Sequence, residues 1–117
     1  MKTLILLMLI SFPVNADEWS REDVQLEIVY NVLLVVDLGQ TLNISKNCDT
    51  YYELNQLLGR CPNQDDVYKY FIVNGVLHGL ISNYLSADNR QLWQYVTIGY
   101  QTGVVGRNWQ LGLSMDF

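Results

Sequence analysis

SREDVQLEIVYNVLLVVDLGQTLNISKN, residues 20–47, opens with a helix-start pattern and closes with a helix-stop pattern. Ser20 stands three residues before Asp23 as in a capping box, and Glu22 and Asp23 fall in the first turn, where the positive end of the helix dipole favours acids. A first helix is therefore expected from about Arg21, with Lys46 and Asn47 suited to its C-terminus. Within it, Val24, Ile28, Val29, Val32, Leu33, Val35, Val36, Leu38 and Leu42 cover more than one face. That coverage predicts a helix that is mostly buried.

Upstream, Met1 to Ala16 combine Lys2 at a basic start, an apolar run, the helix-breaking Pro13 and a small-residue exit at Val14-Asn15-Ala16. This is the pattern of a cleaved secretory signal. The run is too short for a span, which takes roughly 20 apolar residues. Residues 17–117 then form one domain. Without Lys2, six basic side chains face twelve acidic ones, a formal charge of −6. That balance argues against nucleic acid, whose binders carry basic patches that neutralise phosphate.

Downstream, residues 47–63 are polar and turn-rich, with room for a short helical turn over 51–58 closed by Gly59. Cys48 and Cys61 are the only two cysteines of the chain. In an exported protein such a pair reads as a disulfide rather than as half of a metal site. Asn63 resembles an N-cap, followed by acids and by an apolar stretch from Val67 to Leu85, which predicts a second helix. Ser86-Ala87-Asp88-Asn89 reads as a connector.

Leu92 to Val105 fits two periods: a helix carrying Trp93, Val96, Tyr100 and Val104, or a strand alternating from Val96 to Val104. From Trp109 to Phe117 apolar and polar residues alternate without a break, which predicts an extended tail or the second strand of a hairpin turned at Gly106-Arg107-Asn108. The expected fold is mainly α: a three-helix bundle or a helical membrane-associated domain, with an extended C-terminal tail.

Two glycine spacings, Gly75 with Gly79 and Gly99 with Gly103, together with Gly39, suggest close helix–helix packing, because each Gly in a water-exposed helix costs about 1 kcal/mol relative to Ala. The polar residues of the first helix oppose a simple span: a central Asp costs about +2.5 to +3.5 kcal/mol on insertion. Asp37 would have to face other helices or a polar cavity. Topology sharpens the choice. If the leader places the start of the first helix outside, a spanning first helix puts Cys48 and Cys61 in the reducing cytoplasm, so span and disulfide exclude each other.

The candidate polar site consists of Asp37, Gln40, Thr41, Glu53, Asn55 and His78. In an antiparallel hairpin, Asp37 and His78 fall at heights differing by about 6 Å at 1.5 Å per residue. One reading is a carboxylate–imidazole set with Glu53, suited to a divalent metal or a proton. The other is a structural network, with Asp37 satisfied by Gln40, Thr41 or a tyrosine and His78 hydrogen-bonded in the core. The sequence has no nucleophile elbow, phosphate-binding glycine loop, metalloprotease helix or paired CxxC, so no common catalytic signature marks an enzyme, and nothing in it calls for a cofactor.

At Asp37-Leu38-Gly39-Gln40-Thr41, Tyr51-Tyr52-Glu53-Leu54-Asn55, Leu58-Gly59, Pro62 and Gln94-Tyr95-Val96-Thr97-Ile98-Gly99, the chain resembles a set of small bacterial and phage proteins that carry a signal peptide and no assigned activity. Their pattern has Pro after the Asn, where this chain has Gln56. The resemblance implies a bacterial or prophage envelope setting and a mostly helical fold. The expected function is non-enzymatic, through contact with a membrane or an envelope protein. The alternatives are a soluble, disulfide-stapled periplasmic binding module or inhibitor, and a small metal- or proton-handling membrane protein using Asp37, Glu53 and His78.

Overall fold

The structure, a computed structural model, describes residues 19–51, 53 and 57–117. Three helices make a mainly α bundle: α1 (Arg21–Lys46), α2 (Gln64–Tyr84) and α3 (Ala87–Gln110). Both halves of the α1 capping box are present. The Asp23 backbone N–H donates to Ser20 Oγ at 3.0 Å, and the Ser20 N–H donates to the Asp23 carboxylate at 3.0 Å. Asn63 caps α2 by accepting from the Asp66 N–H at 2.8 Å. These local signals set both helix starts.

Leu85 and Ser86 suffice to reverse the chain into α3, so Ala87, Asp88 and Asn89, read as connector, are the first turn of that helix. Residues 92–105 are helical, and no strand occurs among the described residues. Trp109 and Gln110, expected to be extended, belong to α3. The helix stops two residues later at Gly112, which takes a φ of 86° that other residues adopt only with strain. The non-helical tail is therefore shorter than the alternation suggested. Of its expected apolar face only Leu113 is buried.

α1 and α3 run parallel and pack most extensively, α1 and α2 pack less, and α2 and α3 meet sparsely. The apolar core is small: Tyr30, Leu34, Leu38 and Leu42 of α1 meet Val67, Tyr68 and Phe71 of α2. The tail returns across α1. The Asp116 N–H donates to the Gly39 carbonyl at 3.0 Å, Asn43 Nδ2 donates to the Ser114 carbonyl at 2.9 Å, and Lys46 Nζ pairs with Asp116 at 3.1 Å. Gly39 permits this contact, since a Cβ there would sit 2.7 Å from Phe117 and 2.8 Å from Met115.

Cys48 and Cys61 form a disulfide with their Cα atoms 5.7 Å apart, and the Glu53 N–H donates to the Arg60 carbonyl at 2.8 Å across the loop it closes. Part of the helical turn expected over 51–58 lies outside the described residues. Among the described residues α1 is the one helix long and apolar enough to cross a bilayer. Its burial differs from expectation in one respect. Ile28, Val29 and Val32 face outward, whereas Asp23, Glu27, Asn31 and Asp37 face inward.

Candidate functional site

The bundle has a polar seam. On α1, Asp23, Glu27, Tyr30, Leu34, Asp37, Thr41 and Ile44 recur at alternating spacings of four and three. On α3, Arg90, Gln94, Thr97, Gln101, Val104 and Asn108 do the same. Such spacing places residues on the shared stripe of packed helices, and here much of that stripe carries hydrogen-bonding groups. The outward faces are apolar instead, with Ile28, Val32, Leu77, Leu80, Leu92 and Val96 exposed.

At the end of the seam where α1 begins, Asp23 and Arg90 pair at 3.1 Å, both almost fully buried. Arg90 also donates to the carbonyls of Ser82 and Leu85 at the end of α2, where a cation complements the helix dipole, and lies 4.8 Å from the Trp19 ring centre. Burial pushes the Asp23 carboxyl up, but hydrogen bonds from the Ser20 backbone, Gln91 and Arg90 outweigh it and hold it below its ordinary value. One turn on, Glu27 is 0% exposed and takes hydrogen bonds from Ser82 Oγ at 2.9 Å and Gln94 Nε2 at 3.1 Å. Its other oxygen lies 2.6 Å from His78 Nδ1.

The His78 ring stacks on Tyr30, centroids 3.5 Å apart, and lies 5.0 Å from the Trp93 ring. Its Nε2 meets Thr97 Oγ at 2.7 Å, and that hydroxyl donates back to the Trp93 carbonyl at 2.8 Å. Gln94 Oε1 is the single buried side-chain polar atom left unpartnered among the described residues. A network this well satisfied holds α1, α2 and α3 in one register.

Further along the seam a cleft of about 1170 Å³ opens between α1, α2, α3 and the Cys48–Cys61 loop. Asp37 lies in its wall, accepting from Gln101 Nε2 at 2.6 Å, Thr41 Oγ at 3.3 Å and Asn108 Nδ2 at 3.4 Å. Burial pushes its carboxyl up to about 6; Gln101 and Thr41 oppose the rise and the charge of Glu53 adds to it. Tyr30, Tyr51, Tyr70, Tyr100 and Phe71 supply aromatic lining, and Arg107 and Glu53 supply charge. The Tyr30 hydroxyl is pushed up to about 12, mainly by burial and then by Glu27.

Of the residues singled out in the sequence, Asp37, Thr41 and Glu53 line this cleft together. Gln40 is fully buried, donates to the Val105 carbonyl at 3.3 Å and accepts from Asn108 at 3.0 Å. Asn55 lies outside the described residues. His78 is not Asp37's partner. It stands fourteen residues into α2 yet meets Glu27, nineteen before the end of α1, so α2 starts about 7 Å below the top of α1 at 1.5 Å per residue. Among the described residues no three His, Cys, Asp or Glu side chains converge to hold a metal ion.

The glycines divide as well. Gly75 and Gly79 are buried in α2, and Gly39 packs against the tail rather than a helix. Gly99 and Gly103 do not form a close helix contact. They line the cleft, and a Cβ on either would meet nothing within 4 Å. Glu27, Gln94, Thr97, Gln101 and Asn108 were missed in the sequence, although their recurrence at spacings of three, four and seven is visible there. Compared with protein-family models, curated proteins and solved structures, the chain matches none of them.

Proposed function

We propose that this is an exported, non-enzymatic binding module of the bacterial cell envelope that takes a small organic molecule into the cleft between α1, α2, α3 and the Cys48–Cys61 loop. The observation that carries the reading is the cleft itself. It holds about 1170 Å³, has aromatic and aliphatic lining, and places a few polar groups around one buried carboxylate. Ligand sites are built in this way, mostly apolar with a small number of fixed polar groups. The disulfide supports it twice over: it ties down the loop that forms one wall, and it suits an oxidising compartment. The leader pattern points to the same compartment.

The test is saturable binding of N-phenyl-1-naphthylamine, a neutral fluorescent probe, by the purified protein. One probe should bind per chain, and Gly103→Trp, at a lining position where a Cβ would meet nothing within 4 Å, should abolish binding while leaving the fold intact by circular dichroism. Binding that survives Gly103→Trp, or no binding at all, refutes the proposal.

The outward apolar faces favour a second reading, contact with a membrane surface or an apolar envelope partner. Ile28, Val32, Leu77, Leu80, Leu92 and Val96 are exposed while the polar side chains satisfy one another inside, as intramembrane helices require. With the disulfide closed and the start of α1 outside, α1 would not span, so the contact would be peripheral. Release by osmotic shock without detergent, and failure to float with lipid vesicles, would exclude it.

A further inference from the structure

The cleft recognises charge as well as shape. Asp37 is a buried carboxylate whose hydrogen-bonding partners among the described residues, Gln101, Thr41 and Asn108, are all neutral. Asp23, by contrast, is met by the Arg90 guanidinium at 3.1 Å. An ionised carboxylate in a low-dielectric wall is costly unless a cation meets it. Asp37 is one of the residues that line the open volume of the cleft.

We infer that the ligand of the cleft is an organic cation, an ammonium group on an apolar tail, with Asp37 as its counter-charge. The inference rests on the cleft being a binding site and names what that site selects. The groups around Asp37 fit it. Thr41 approaches from α1, Tyr70 lines the cleft from α2, Tyr100, Gln101, Arg107 and Asn108 from α3, and Tyr51 and Glu53 from the disulfide loop. An anionic ligand would place a second like charge beside Asp37.

The aromatic lining acts in the same direction, since an ammonium ion over an aromatic face gains about 0.5 to 2 kcal/mol, more when water is excluded. The volume far exceeds an ammonium headgroup. The remainder is bounded by Leu34, Phe71, Val104 and Leu113, which suit an alkyl or aryl tail. The acidic surface of the whole chain attracts cations from a distance.

The experiment is displacement of the bound naphthylamine probe by amphiphiles sharing a twelve-carbon tail, all below their micelle concentrations: dodecyltrimethylammonium, dodecanol, dodecanoate and lauroyl-lysophosphatidylcholine. At pH 7.5 the ammonium compound should displace at a concentration at least tenfold below that of dodecanol, with dodecanoate weaker still. Asp37→Asn, read at whatever probe affinity the variant has, should bring the ammonium compound and dodecanol to equal displacing concentrations. Acidifying the unmutated protein to pH 5, below the value of about 6 to which burial pushes Asp37, should weaken the preference for the ammonium compound without any substitution. The lysolipid arm distinguishes sources: displacement stronger than that by dodecyltrimethylammonium assigns the cation to a choline-type lipid headgroup, and weaker displacement assigns it to a free ammonium compound.

Equal displacement by ammonium compound and alcohol, or a preference undiminished both in Asp37→Asn and at pH 5, overturns the inference and leaves the binding-module reading intact. Failure of the probe to bind the unmutated protein overturns both.

Discussion

Replacing Glu27 by Ala tests whether the polar seam is the true interior of this bundle. Glu27 is fully buried and holds Ser82, Gln94 and His78 through its two oxygens. Truncation leaves His78 Nδ1 without its partner and reduces Ser82 and Gln94 to the carbonyls of His78 and Asp23 as acceptors. Breaking one side of a buried charged network costs about 3–5 kcal/mol, because the stranded partner stays desolvated. The total stability of a domain this size is about 5–15 kcal/mol, so the loss is a large share of it. At about 4–8 °C per kcal/mol, the melting temperature should fall by at least about 12 °C.

The control is its neighbour Ile28, 45% exposed on the outward face, where truncation to Ala should cost no more than about 0.5 kcal/mol. Urea unfolding followed by tryptophan fluorescence, with the disulfide kept closed, measures both. Glu27→Ala with His78→Ala should fall short of the summed single losses by at least about 1 kcal/mol, since the two act in one network. If Ile28→Ala costs as much as Glu27→Ala, the helix is oriented the other way round and the seam is not the core.

Three further outcomes follow from the same geometry. Asp37 carries a folded-state value near 6 against an ordinary 3.8, so the folded chain binds that proton more tightly than the unfolded one. Its contribution to stability therefore increases as pH falls from about 7 through 6 towards 4, by about 2–3 kcal/mol, and Asp37→Asn should flatten that part of a urea-midpoint profile. Asp23 has the opposite sign: held below its ordinary 3.8, it contributes stability above that pH that is lost on further acidification. Reducing Cys48–Cys61 should lower stability by about 3 kcal/mol through restored loop entropy, and should weaken probe binding by loosening one wall of the cleft, which fluorescence titration with and without reductant will read. Gly39→Val forces a side chain into Phe117 and Met115 and should cost about 1–3 kcal/mol, release the tail to carboxypeptidase, and become nearly neutral once residues 113–117 are deleted.

The helix starts were legible because their causes are local: Ser20 and Asn63 each reach backbone N–H groups three residues away. The disulfide was legible from compartment chemistry. The inside of the bundle was not, because counting apolar positions assumes that apolar residues face inward. In α1 that count chose Ile28, Val29 and Val32, whereas the packed stripe runs through Glu27, Tyr30 and Leu34. The partner of His78 was hidden for a different reason. The disulfide loop sets α2 lower against α1 than a symmetric hairpin would, and no periodicity within either helix encodes that offset.

The spacing of Gly99 and Gly103 gains a different meaning from this arrangement. Two small residues four apart usually let a neighbouring helix approach. In α3 they border the cleft at an exposed part of the helix, with nothing within 4 Å of where a Cβ would be, while α2 and α3 meet only sparsely. Near the start of α1 the seam is filled by Arg90, Gln94 and their partners. Further along, Gly99 and Gly103 border the cleft from the exposed side of α3, two residues before and after the buried Gln101 that binds Asp37. A helix interior tolerates Ala better than Gly by about 1 kcal/mol, so retaining both glycines sacrifices stability for volume. Gly99→Ala with Gly103→Ala should accordingly raise the melting temperature by several degrees, at about 4–8 °C per kcal/mol, and weaken naphthylamine binding. A double variant that is no more stable, or that binds the probe as well as the unmutated protein, would show that the glycines do not keep the cleft open.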